Sequence, residues 1–441
     1  MKVLVVGGGG REHAIAAALS RSGAELYSAM KNSNPGIARL SKEVRLVKET
    51  DVPKVVEFAL SMGAELAVIG PESPLEVGLA DALEAQGLGV VGPTQAAARL
   101  ETSKTFARVV MRKYQVPGNL RFASFDNLAD ARKYVNDADI ELAVKPVGLT
   151  GGKGVKVQGE QLRDKHETIL YLEEIFDKNI GGAGVILEEK AVGEEFTLMA
   201  FCDGRNVVPM PLVQDHKRAY EGDLGPNTGG MGSYSAEDHL LPFVRPSDRD
   251  AALEIMRRTV AAMAEEGCPY RGVLYGQFML TRDGPKVIEF NARFGDPEAM
   301  NVLSILSSNF LDICQAIAGG RLSGTRVEFA RKATVCKYVV PEGYGTEPKA
   351  DLPIHVDEAA IKNEGAMAYY AMVNEIDGRT FTSTSRAVGV VGIDDSIEKA
   401  EQACERALQH VRGDAIYVRH DIGTAALVRR RVEHMAQLRK S

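Results

Sequence analysis

A short apolar run at residues 3–6 leads straight into Gly7-Gly8-Gly9-Gly10 and then Arg11-Glu12-His13. A strand closed by glycine and followed by a helical pattern is how a parallel sheet begins, since a tight turn lets a buried strand feed a helix that packs back on it. The unit recurs: residues 66–69 and 88–91 are buried-strand runs closed by Gly or Pro, and 14–19, 55–61 and 79–85 have helical apolar spacing. This alternation predicts a doubly wound α/β domain with a parallel sheet over the first hundred residues.

After Gly92-Pro93-Thr94 the pattern turns to helices at 95–100 and 103–113, until Val116-Pro117-Gly118 breaks the chain. A smaller α/β unit follows, with apolar segments at 142–145, 155–157, 162–176 and 185–188. Residues 214–239 are rich in Gly, Asp and Asn and read as a long loop, of a length that points to function rather than simple connection. A helix at 247–266 and strands at 273–280 and 286–290 come next. Beyond a boundary near 319–324, segments 333–340, 368–373, 388–393 and a helix at 396–411 form a compact α+β tail. The expected division is 1–102, 103–325 with a small inserted lobe at 121–194, and 326–441.

Composition narrows the function classes. With 53 Lys+Arg against 60 Asp+Glu the net charge is −7, so the broad positive field of a nucleic-acid binder is missing. The five cysteines are odd in number, widely spaced and without a CxxC pair, which disfavours a disulfide framework or a thiolate zinc site and predicts reduced thiols in the cytoplasm. The apolar start is too short for a signal peptide, and no stretch approaches the roughly 20 apolar residues of a membrane span. No protein partner is evident in the sequence.

The glycine turn aims backbone N–H groups and a helix N-terminus at an anion. A dinucleotide fingerprint needs a third glycine where Glu12 or His13 stands, so the turn is either an anion site, which Arg11 favours, or a bare strand-to-helix connection. Lys145-Pro146-Val147-Gly148-Leu149-Thr150-Gly151-Gly152-Lys153-Gly154 is not a Walker loop, having three residues between its glycines and Gly154 after Lys153. It reads as a glycine flap with lysines placed for phosphates, or as a solvated hairpin. In Ile288-Glu289-Phe290-Asn291-Ala292-Arg293, strand alternation puts Glu289 and Asn291 on one face. Hard oxygens grouped in this way suit Mg²⁺, and Gln277 adds a third if its strand pairs with this one. Arg293, on the same face if the strand continues, brings positive charge to a transferring phosphate. Asp215-His216-Lys217-Arg218 followed by Gly225-Pro226-Asn227-Thr228-Gly229-Gly230-Met231-Gly232 suits a small zwitterion as well as a purely structural turn.

In this order the motifs resemble the ATP-grasp ligases, and within them the glycinamide ribonucleotide synthetase family. The matching segments are residues 9–14, 70–75, 103–104, 151–155, 215–218, 225–232 and 288–298. The resemblance implies an ATP-grasp core with an inserted lobe and a C-terminal α+β domain. It also implies ligation of glycine to 5-phosphoribosylamine through glycyl phosphate, with ATP and Mg²⁺ (or Mn²⁺). By the same resemblance Lys104 and Lys145 hold ATP phosphates under the flap of Gly151, Gly152, Lys153 and Gly154. Glu188 and Val192 meet adenine and Glu195 the ribose. Gln277, Glu289 and Asn291 hold metal, and Arg293 stabilises phosphoryl charge. Gly9, Gly10 and Arg11 take the sugar phosphate, while Asp215, His216, Lys217 and Asp296 shape the amine and glycine sites. Competing readings are another ATP-grasp ligase, a biotin carboxylase among them, and a nucleotide-dependent oxidoreductase or a non-catalytic nucleotide-binding module.

Overall fold

The computed structural model describes residues 1–148, 154–182 and 184–440. Strands β1 (Lys2–Val6), β2 (Glu25–Met30), β3 (Ser41–Leu46), β4 (Leu66–Ile69) and β5 (Gly89–Val91) form a parallel sheet in the order β3-β2-β1-β4-β5. Val3 to Val6 are fully buried, as a strand covered on both faces requires. Strands β2 and β3 escape an apolar-run reading for a physical reason. Ser28 of β2 is buried but bonded to Ser41 Oγ at 2.8 Å, and β3 is a largely solvent-facing edge strand rich in charge. The strand order reverses between β1 and β4, and there an open α/β sheet offers a crevice beyond its strand ends. Gly7–Gly10 and Gly70-Pro71-Glu72 lie at that point.

A small lobe carries the sheet Phe122–Phe125, Val185–Glu189, Leu142–Pro146 and Lys156–Val157, in that spatial order, with helices Leu128–Asp137 and Lys165–Asp177 and a core of its own. A second antiparallel sheet is built from Val207–Pro209, Glu194–Asp203, Arg271–Thr281 and Gly284–Asn291, with helix Pro246–Glu265 packed on it.

The segment 214–239 is not the plain loop its composition suggests. It holds strands Gln214–Asp215, Arg218–Tyr220, Leu224–Asn227 and Gly232–Ser235, each too short to show a hydrophobic period. The inner two form a hairpin. The outer two join Ala333–Pro341, Val388–Asp394, Ala366–Tyr370 and Ile416–Val418 in one six-stranded sheet, Gly232 opposite Lys337. The C-terminal region is therefore bonded, strand to strand, to the segment that carries Asp215 and Lys217. The last helix, Ala425–Leu438, returns to the second sheet, where Arg431 and His434 both pair with Glu194. No helix among the described residues is long and apolar enough to cross a membrane.

Candidate active site

Antiparallel pairing sets Gln277 opposite Glu289 and Tyr275 opposite Asn291, and all four line one cleft. Burial pushes the Glu289 carboxyl up, but Lys217, Lys145, Lys104 and Arg293 outweigh it and hold the group below its ordinary range, so it stays ionised. Gln277 is in the expected place with its amide already engaged. It donates to Glu195 Oε2 at 2.6 Å and accepts from Lys217 Nζ at 2.7 Å.

On the opposite wall Lys145 reaches Glu188 Oε2 at 2.8 Å and the Ile288 carbonyl at 3.0 Å. Arg108 grips the same Glu188 with two nitrogens at 2.6 and 2.9 Å. Burial raises the Glu188 carboxyl, yet Arg108 and Lys145 bring it down to about 2. Glu188, expected to meet adenine, does line the cleft, with its carboxylate paired as a buried charge requires. Val192, expected beside it, is 53% exposed and is not among the residues lining the cleft. Lys104 opens the helix Lys104–Lys113, capped by Ser103, and its Nζ donates to the Gly148 carbonyl at 2.7 Å. Gly154 accepts from the Tyr171 hydroxyl at 2.8 Å, whereas Gly151, Gly152 and Lys153 lie outside the described residues.

Arg293 does not follow the strand alternation, since the strand ends at Asn291. It lines the cleft from the bend beyond, paired with Glu101 at 3.1 Å and Glu72 at 3.4 Å. Those two carboxyls diverge. Burial pushes Glu101 up to about 7 despite Arg293, whereas Arg293 and Arg11 overcome burial at Glu72 and bring it to about 2. Arg11 is turned inward, with Nε on Glu12 at 2.5 Å and Nη1 on the Phe294 carbonyl at 3.2 Å. Glu12 also accepts the Gly9 N–H at 2.7 Å. The glycine turn, expected to present free donors, thus has the Gly9 N–H and the Arg11 guanidinium bound internally. A Cβ at Gly70 would overlap the Glu12 carboxylate, which explains the glycine of Gly70-Pro71-Glu72.

Asp215 and Lys217 line the cleft, and period-two alternation sends His216 the other way. Its ring is 2% exposed and 5.7 Å from that of Tyr234, and burial with Arg419 and Arg431 nearby pushes it down to about 3. His216 is a neutral buried residue packed against Tyr234, away from the cleft in which it was expected. Asp215 is raised above its usual range by burial and by Glu298. Asp296 lines the cleft and is held in place by the Tyr338 hydroxyl at 2.5 Å on one oxygen and by Arg386 at 3.1 Å on the other. Sequence reasoning missed Glu72, Glu101, Arg108, Glu298, Tyr338 and Arg386. Glu72 and Glu298 sit inside quoted motifs, where an acidic residue beside glycine or proline was a legible signal; Arg386 and Tyr338 had none.

Family models cover most of the chain. The N domain of phosphoribosylglycinamide synthetase matches residues 1–101, its ATP-grasp (A) domain 102–299 and its C domain 334–425. Phosphoribosylamine–glycine ligase of Methanococcus maripaludis is 52% identical over all of both chains. That of Methanoregula boonei is 54% identical, covering 99% of this chain and 100% of its own. The crystal structure of phosphoribosylamine–glycine ligase from Thermotoga maritima superposes with a TM-score of 0.82 at 29% identity, covering 96% of this chain and 100% of the other. The biotin carboxylase domain of Hydrogenobacter thermophilus 2-oxoglutarate carboxylase follows at TM-score 0.73 and 16% identity, covering 99% and 93%, a likeness of fold alone.

Proposed function

We infer the work of the cleft from one premise, that this chain belongs to the phosphoribosylglycinamide synthetase family. It is an ATP-grasp ligase that joins glycine to 5-phosphoribosylamine in purine biosynthesis, giving glycinamide ribonucleotide, ADP and phosphate. The observation that carries this is the identity to curated relatives along the full length of both chains. We take 1–102, 103–325 and 326–441 as its domains, and the cytoplasm as its place of action.

A carboxylate is a poor acyl donor. Glycine's oxygen therefore first attacks the γ-phosphorus of ATP, releasing ADP and forming glycyl phosphate. The ribosylamine nitrogen then attacks the acyl carbon, phosphate leaves and the nitrogen loses a proton. Positioning and charge neutralisation do most of this, with no protein nucleophile required. Lys104 and Lys145 would neutralise the ATP phosphates, and Arg293 the charge that develops during transfer. Asp215 would accept the amine proton, being a cleft carboxylate whose raised affinity for protons suits the task. Gly9 and Gly10 would face the sugar phosphate, with Arg11 leaving Glu12 to meet it. Gln277 would hold Glu195 and Lys217 in place.

Glu289 and Asn291 fit a divalent cation, offering one ionised carboxylate and one amide oxygen on a common face. Gln277 fits less well, because Lys217 already occupies its amide oxygen. When bound, Mg²⁺ or Mn²⁺ would supply further neutralisation of the phosphate oxygens. The test is phosphate release from ATP with candidate acids and amines. Release that needs both glycine and phosphoribosylamine is expected; release driven by bicarbonate without glycine would refute the reading.

A further inference from the structure

The geometry points to Arg386, just before the strand Val388–Asp394 of the C-terminal region, as a positioning residue for the glycine and amine end of the cleft; this rests on the ligase reading above. Its guanidinium ties together two loops distant in sequence. Nη1 donates to the Gly229 carbonyl at 2.6 Å and the Asp296 carbonyl at 2.9 Å, with a longer bond to Gly230 at 3.4 Å. Nη2 meets Asp296 Oδ2 at 3.1 Å. The group lies 4.6 Å from the centroid of the Tyr338 ring, and Tyr338 in turn donates to the other oxygen of Asp296 at 2.5 Å.

A third segment enters through packing. A Cβ at Gly10 would overlap the Tyr338 hydroxyl, so the N-terminal glycine turn is seated against Tyr338. Arg386 and Tyr338 thus fix the relative placement of the glycine turn, the loop at 225–232 and the bend at 293–298. Gly229 and Asp296 themselves line the cleft, beside Asp215 and Glu298. Lys104, Lys145 and Glu188, at the phosphate end, are held by a separate set of partners. Arg386 is mostly buried, its side chain 14% exposed, and its bonds to three carbonyls and a carboxylate need a planar fork that lysine cannot supply. Losing Arg386 would loosen the acceptor end and leave the ATP end as it is.

The experiment is steady-state kinetics with each of the three substrates varied, on wild type, Arg386→Ala and Tyr338→Phe, with thermal unfolding as a check on folding. In Arg386→Ala, KM for glycine and for phosphoribosylamine should rise about 10–100-fold, the loss expected for charged hydrogen bonds, with KM for ATP unchanged. Added guanidinium ion should restore part of the loss, and Tyr338→Phe should shift the same two constants by less. A rise in all three KM values together, a fall in kcat alone, or no change would overturn the proposal. Should Arg386→Ala fail to fold, Tyr338→Phe decides, and unchanged KM values for glycine and amine in it refute the proposal. If the wild type does not require glycine, the ligase reading has failed; if it does and the variants behave as wild type, only the positioning role has.

Discussion

At the scale of single residues, neighbours in sequence divide sharply in role. Asp215, His216 and Lys217 are consecutive, yet only the outer two reach the cleft. His216→Phe should therefore keep turnover within a few-fold of wild type, since a neutral ring buried against Tyr234 gives way to another of similar shape. Glu289→Ala, on the cleft wall, should leave the fold intact and remove nearly all ligase turnover. The pair of variants is compared by phosphate release beside a thermal melt. Near-normal turnover in Glu289→Ala would remove the case for a metal at this strand, and loss in His216→Phe without loss of folding would restore the histidine to the chemistry. The Glu289–Asn291 pair was readable because a strand's period is two and both members lie on one strand. The same rule stops at Asn291, where the strand ends, and Arg293 reaches the same cleft from the bend beyond. Polarity in a motif says nothing of the face a side chain takes, so His216 was expected in a cleft that it turns away from.

Among elements, the glycine-rich segments illustrate how much a close approach constrains a position. Gly230 has φ of +110°, and a Cβ there would fall 2.8 Å from Pro297 Cδ and 2.9 Å from Asp215 Oδ1. Gly230→Ala should cost about 1–3 kcal/mol from the backbone conformation, with the contact to Asp215 added. The expected signature is a fall in melting temperature together with a raised KM for glycine; an unchanged KM would separate this loop from the substrate site. The hairpin at 218–227 shows the limit of local reading. Its strands of three and four residues have no period to detect, and Asp223 within it is held by Arg419, Arg430 and Arg431 from far along the chain.

The whole molecule depends on buried carboxylates for its response to acid. Glu188 falls from an ordinary 4.5 to about 2 on folding, and a depressed carboxyl contributes stability above its unfolded value that is lost as pH drops through the folded one. A shift of that size corresponds to about 3 kcal/mol. Glu72, also brought to about 2, adds in the same direction. Glu101, raised to about 7, acts oppositely and lowers stability as pH climbs from 4.5 to 7. His216, pushed down to about 3, contributes stability that is lost as pH falls below its ordinary 6.5 and so offsets Glu101. The clear expectation is a steep drop in melting temperature between pH 4.5 and 2. A flat profile across that interval would show that these pairs are not what folding depends on.

The sequence by itself determined the parallel-sheet opening, the ATP-grasp motif order and most of the groups on the cleft walls. These follow from short-range rules: hydrophobic period, glycine turns and side-chain alternation act within a few residues. Only the tertiary structure decided that the C-terminal strands share a sheet with the 214–235 segment, that Arg11 folds back on Glu12, and that Arg386 and Tyr338 brace Asp296. Each of these is a pairing between charges or strands tens to hundreds of residues apart, or a choice between two partners for one buried charge. Such choices are set by which groups burial leaves without water, and that is known only once the chain has closed around them.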